Sequence, residues 1–188
     1  MSIPENDAAV LAATQNWLVR AVIGLNLCPF AKSVYIKEQI RYVVSKSMSD
    51  NDVLDELESE LLYLAREEPS KIDTTLLILP GLLNDFFDFN YFLNRTARVL
   101  KQVKLTGVIQ IASFHPDFQF AGNQSDDIEN YTNRAPYPIL HLLREASVEQ
   151  AVAAFPDAAV IYERNQETLQ RLGRAGWFEL LNSSNGQA

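Results

Sequence analysis

The stretch DTTLLILPG, residues 73–81, decides the fold class. Its centre, Thr74-Thr75-Leu76-Leu77-Ile78-Leu79, runs without a charge or break between Asp73 and Pro80-Gly81. That is short for a helix, and a strand with no polar alternation is one covered on both faces. Such a strand needs helices above and below it, and the flanking sequence offers them.

Upstream, Leu54, Leu57, Leu61 and Leu64 recur at helical spacing over about 52–67, behind the capping candidates Ser49, Asp50, Asn51 and Asp52 and ahead of Pro69. QIRYVVSK, residues 39–46, is rich in β-branched and aromatic side chains and reads as a strand. The first helix spans about 6–25, with Val10, Leu11, Thr14, Trp17, Leu18, Ala21 and Val22 on one face and a stop at Gly24 and Asn26. Leu27-Cys28-Pro29-Phe30 follows, with Pro29 opening a short helical turn through Val34 and Cys28 in the N-cap position.

Downstream, Phe86, Phe89, Leu93, Ala97 and Leu100 mark a helix over about 84–103, acidic at its start and basic at its end, as the macrodipole favours. Residues 108–112, VIQIA, make a third strand, and 113–137 form a long irregular connection. Phe118-Gln119-Phe120 is a candidate antiparallel edge strand folded back through His115-Pro116-Asp117. Pro138 suits the first position of a helix over 138–146, and Ser147 and Gln150 have the spacing of a capping box for another, stopped by Pro156. Residues 157–172 read as helix broken by Gly173 and Gly176, and the tail SSNGQA as frayed. The expectation is an α/β chain, with α+β as the alternative. It has one domain, ordered over about 6–180, with three strands in a mainly parallel or mixed sheet.

With 188 residues, a formal net charge of −8 and a pI near 4.8, the chain is large enough for a core without staples and too acidic to select nucleic acid or anionic membranes. Cys28 is the single cysteine, which excludes an internal disulfide and points to a reducing cytoplasm. No apolar run reaches membrane-spanning length. The sequence is silent on oligomeric state.

Long irregular connections inside compact chains are usually functional or disordered, and Phe114, Phe118, Phe120, Ile128, Tyr131 and Tyr137 supply too much apolar surface for disorder. In open α/β sheets ligands gather outside the carboxyl ends of strands, which is where His115 falls. His115 with Asp117 is the candidate acid–base pair, against the plainer reading of a turn histidine bonded to backbone. Cys28 is the candidate nucleophile, against packing as a small hydrophobe. Asn130, Tyr131, Asn133 and Arg134 are binding candidates. Arg134 could hold a small anionic molecule in a bidentate fork, or pin the loop by pairing with Asp126 or Asp127. His141, predicted on an apolar helix four residues before Glu145, is a binding candidate or a satisfied core histidine. Asp126, Asp127 and Glu129 lack a fixed ligand spacing, so no metal and no cofactor is assigned. Phosphate-binding glycine loops, nucleophile elbows and zinc spacings are missing from the sequence.

Three segments, LNLCPFA (25–31), SFHPDFQF (113–120) and NYTNRAPYPILHLLRE (130–145), resemble an uncharacterised, mainly bacterial family, domain of unknown function 1415. The resemblance spans the first helix to about residue 175. It implies that a shared site would involve Cys28, His115 and the 130–145 stretch, and it implies no reaction. Two functions stand open: a small-molecule enzyme using His115, Asp117, Asn130, Asn133 and Arg134 with Cys28 as thiol, and a non-catalytic domain binding a ligand or protein through the 113–137 loop. The first requires Cys28 and His115 within reach of each other. The second requires Phe118, Phe120 and Tyr137 exposed together.

Overall fold

The computed structural model describes residues 7–154 and 160–182. In chain order these form α1 (Asp7–Trp17), a π-helical continuation (Leu18–Ile23), α2 (Ala31–Ile36), β1 (Ile40–Val44), α3 (Asp50–Arg66), β2 (Thr74–Ile78), α4 (Phe86–Gln102), β3 (Ile109–Phe114), a 3-10 segment (Ile128–Asn133), β4 (Ile139–Arg144), α5 (Glu145–Ala153) and α6 (Ile161–Asn182). The sheet has four strands in the order β1-β2-β4-β3. β1 and β2 pair in parallel, and β4 is antiparallel to both β2 and β3. β1, β2 and β3 therefore point the same way, with β4 inserted between the last two.

β2 is buried along its whole length, as its unbroken apolar run demands. Alternate residues supply two cores. Leu77, Leu79, Leu140, Leu142 and Ile109 face α3 and α4, where Val53, Leu57, Leu61, Leu64, Phe89 and Phe92 meet them. Leu76, Ile78 and Ile139 face the other way, against Val10, Trp17, Leu18, Ala21 and Val22 of the first helix and Leu169 and Trp177 of α6. α3 begins on Ser49, whose side chain accepts from the Asp52 amide at 3.2 Å. Asp85 caps α4 by accepting from the amides of Phe87 (2.8 Å) and Asp88 (3.0 Å).

Several expectations are corrected. The sheet has four strands rather than three, because 139–144 is a strand and not a helix. β4 lies between two neighbours and is covered on both faces, so Ile-Leu-His-Leu-Leu carries no alternation that would separate it from a buried helix. The Pro138 carbonyl accepts from the Leu79 amide at 2.9 Å, leading the chain into the sheet. With no helix there, the His141–Glu145 pairing disappears. Phe118 to Phe120 form no edge strand, because the Phe118 amide turns back onto the His115 carbonyl and the Phe120 amide is taken by Asn130 Oδ1. α5 starts at Glu145 without a side-chain cap, and Ser147 donates instead to Asp73 Oδ1 at 2.6 Å. α2 starts at Ala31 after Phe30, so Cys28 lies outside the N-cap, in a turn where its carbonyl accepts from the Ala31 amide. Gly173, at φ 66°, breaks α6, which resumes and passes through Gly176. Pro156 and the tail SSNGQA lie outside the described residues. None of the described helices is long and apolar enough to cross a membrane.

Candidate functional site

His115 follows the last residue of β3 and is fully buried. Its Nδ1 accepts from the Asp117 amide at 3.0 Å, so the ring proton sits on Nε2, which donates to the Leu83 carbonyl at 3.1 Å. Phe86 and Phe89 flank the ring at 5.4 and 5.2 Å. Desolvation by that packing holds the pKa below the ordinary histidine value, against the opposing influence of the Leu83 carbonyl and the carboxylates of Asp117 and Asp85. Both ring nitrogens are thus engaged inside the molecule. Asp117 itself is exposed.

The rest of the loop is tied in the same manner. Asn130 is fully buried; its Oδ1 accepts from the Phe120 amide (3.0 Å) and Asn123 Nδ2 (3.2 Å), and its Nδ2 donates to the Gln124 carbonyl (2.7 Å). Asn133 donates to the Ser113 carbonyl at 3.2 Å, and its own carbonyl accepts the His115 amide. Arg134 spans the carbonyls of Ser125 (2.6 Å) and Phe118 (3.4 Å) and lies 4.2 Å over the ring of Tyr131. Arg134 therefore pins the loop through carbonyls, not through Asp126 or Asp127. Tyr131, almost fully buried, packs edge-on against Trp177 at 5.3 Å. Asp126 pairs with Arg174 at 3.9 Å, Asp127 accepts from the Gln124 amide at 2.7 Å, and Glu129 accepts from Gln170 at 2.8 Å. Phe118, Phe120 and Tyr137 are half-buried, Phe118 lying 5.3 Å from Phe86 and 4.9 Å from Phe120.

Cys28 packs on the α1 side of the sheet, whereas His115 packs among Phe86 and Phe89 on the α3–α4 side. The sheet separates them, and no dyad forms. His141 also faces the α1 side, with its Nε2 2.7 Å from Thr74 Oγ1.

An open cleft of about 280 Å³ lies instead at the carboxyl ends of β1 and β2, between the starts of α3 and α4. Arg95 Nη1 reaches Asp50 Oδ2 at 3.0 Å and ties the two helices together across it. Leu83, Asn84 and Asp85 make another wall, and the capping bonds already occupy Asp85. Asp88 is exposed, with no partner among the described residues, and Tyr91 one turn later is 74% exposed. Phe87 stands beside them at 75% exposure. Among the described residues no three His, Cys, Asp or Glu side chains are grouped to hold a metal ion.

The family model described as protein of unknown function DUF1415 matches residues 9–179, most of the chain. The chain belongs to this family. Comparison with curated proteins and with solved structures finds no match. In this DUF1415 chain the three resembling segments meet in the hydrophobic cluster on the α1 side, through Leu27 and Cys28, Phe114, and Tyr131, Ala135 and Ile139, but Cys28 and His115 lie on opposite sides of the sheet. The first lies by α1 and α6, the second at the carboxyl end of β3, and the third buttresses the loop and then becomes β4.

The cleft residues Asp50, Asp88, Tyr91 and Arg95 were not among the candidates read from the DUF1415 sequence. A usable signal was there. Two helix starts, Ser49-Asp50 and Asn84-Asp85, each follow a strand of the same direction, and the carboxyl-end rule applies to those strand ends as much as to that of β3.

Proposed function

We propose that this protein is a small-ligand-binding domain whose site is the cleft at the carboxyl ends of β1 and β2, and that its ligand joins a cationic group to an apolar or aromatic body. The observation that carries this is the pairing of Asp88, exposed and unpartnered, with the exposed ring of Tyr91 in one cleft. A cation between a carboxylate and an aromatic face gains from both. The cleft holds Asp50, Asp85 and Asp88 against the single Arg95, which disfavours an anion even though the two helix starts contribute some positive potential.

The 113–137 loop serves as the buttress. Arg134, the expected anion holder, already spans two carbonyls, and His115 holds Leu83 in the cleft wall. A binding role is favoured over a catalytic one because Cys28 and His115 lie on opposite sides of the sheet and both nitrogens of His115 are used. The test is calorimetric titration with benzylamine and, as the charge-reversed control, benzoate. Saturable benzylamine binding, weakened about fivefold or more by Asp88→Asn and by Tyr91→Ala, is the expected result. Preference for benzoate, or indifference to both substitutions, overturns it.

A further inference from the structure

A second cavity, of about 190 Å³, lies on the side of the sheet covered by α1 and α6, away from the α3–α4 cleft. Leu25, Asn26 and Pro29 form one wall, and the first three turns of α6 form the other. The first wall belongs to LNLCPFA, a segment that neither the cleft nor the 113–137 loop uses.

The α6 wall carries four polar side chains grouped around Thr168. Arg164 lies four residues before it, Asn165 three before it and Arg171 three after it. Residues at those spacings stand about 5–6 Å apart between Cβ atoms, so all of them can reach one small ligand beside Thr168. Arg164 is exposed and has no partner among the described residues. Arg171 makes only two long bonds on its own helix, each 3.4 Å, to the Glu167 carbonyl and to Thr168 Oγ1. A stronger acceptor displaces bonds of that length. Thr168 accepts there, which leaves its own hydroxyl proton free to donate.

Asn165 is the independent sign that the cavity takes a ligand. It is 6% exposed, and its Nδ2 donates to the Leu27 carbonyl at 2.8 Å. Its Oδ1 is left without a partner among the described residues and is not sealed from solvent, so it faces the cavity that Asn165 lines. A buried acceptor in that position calls for a donor. Glu167 on the rim opposes the two guanidiniums, which leaves one positive charge in surplus. A carboxylate balances that surplus, whereas a phosphate dianion reverses it.

We propose that this cavity binds a small 2-hydroxy carboxylate with a short apolar chain. The carboxylate accepts from Arg164, Arg171 and the Thr168 hydroxyl, and the 2-hydroxyl donates to Asn165 Oδ1. Leu25, Pro29 and Ile161 supply apolar surface for the chain. Charge-assisted bonds to the guanidiniums carry most of the affinity, and the hydroxyl supplies the selectivity.

The probe is 2-hydroxyisovalerate, followed by calorimetry and by amide-resolved NMR. Saturable binding should shift Asn26, Asn165 and Thr168 and leave Asp88 and Tyr91 still. Isovalerate, which lacks the hydroxyl, and 2-hydroxyisovaleramide, which lacks the charge, should each bind about tenfold more weakly. Arg164→Met and Arg171→Met, both at exposed positions, should weaken the acid by a similar factor. Equal binding of isovalerate would reduce the site to unselective charge attraction and overturn the proposal. Tighter binding of inorganic phosphate, or shifts at Asp88 and Tyr91 in place of α6, would overturn it as well.

Discussion

His115 and Leu83 are joined across the α4 crossover that links β2 to β3: Nε2 of the histidine donates to the Leu83 carbonyl at 3.1 Å, and Leu83 is held at φ 59°, a left-handed conformation unusual for leucine. The end of β3 thereby fixes the loop that opens α4 and forms one wall of the cleft. Removing the ring leaves the Leu83 carbonyl and the Asp117 amide without their partners and opens a gap between Phe86 and Phe89. His115→Ala should lower stability by about 2–4 kcal/mol in urea unfolding. It should weaken benzylamine binding as well, though it touches no ligand.

Both histidines have depressed pKa values in the folded chain, His141 to about 4. The unfolded chain takes up protons near the ordinary value of about 6.5, before the folded chain does, so their contribution to stability is complete above that pH and is lost as pH falls below it. For His141 the loss levels off only below about 4 and amounts to at most about 3 kcal/mol. Urea midpoints between pH 7 and pH 5 should fall in the native chain and fall less in His141→Leu. A midpoint that rises on acidification contradicts this sign.

Asn130 is the hub of the 120–125 turn and uses both ends of its amide. Asn130→Asp keeps the shape but replaces the donor that faces the Gln124 carbonyl with an oxygen. The expected cost is about 2–4 kcal/mol, together with faster hydrogen exchange at the Phe120 amide. Exchange rates that do not change would remove the hub role.

Arg144 finishes α3 from another strand: Nη2 donates to the carbonyls of Leu64 (2.6 Å), Glu67 (2.6 Å) and Ile72 (3.1 Å). A lysine brings one ammonium on a flexible stem and does not reproduce the planar fork. Arg144→Lys should therefore cost about 1.5–3 kcal/mol, with early fraying of the last turn of α3 seen in hydrogen exchange.

Periodicity made the first three strands and the helices around them legible, because Leu57, Leu61, Phe89 and their neighbours repeat at helical steps while 74–79 does not. β4 reads as a helix for a physical reason. Its burial on both faces erases the alternation, and Pro138 is as acceptable at the entry to a strand as at the first turn of a helix. Its short length was the clue in favour of a strand. The insertion of β4 between β2 and β3 depends on a 24-residue connection whose path is set by Asn130, Asn133 and Arg134 bonding to carbonyls. Carbonyls belong to every residue and leave no mark in a sequence. The same blindness made Arg134 look like an anion holder and His115 like a base, since both side chains spend their polar atoms on backbone.

The most direct test of where this protein binds is an amide-resolved NMR titration with benzylamine. Saturable shifts confined to Asp50, Asn84, Asp88, Tyr91 and Arg95, with 117–134 quiet, are the predicted result. Shifts gathered at Asp117, Asn130 and Arg134 while the cleft stays unmoved would contradict it and return the site to the loop.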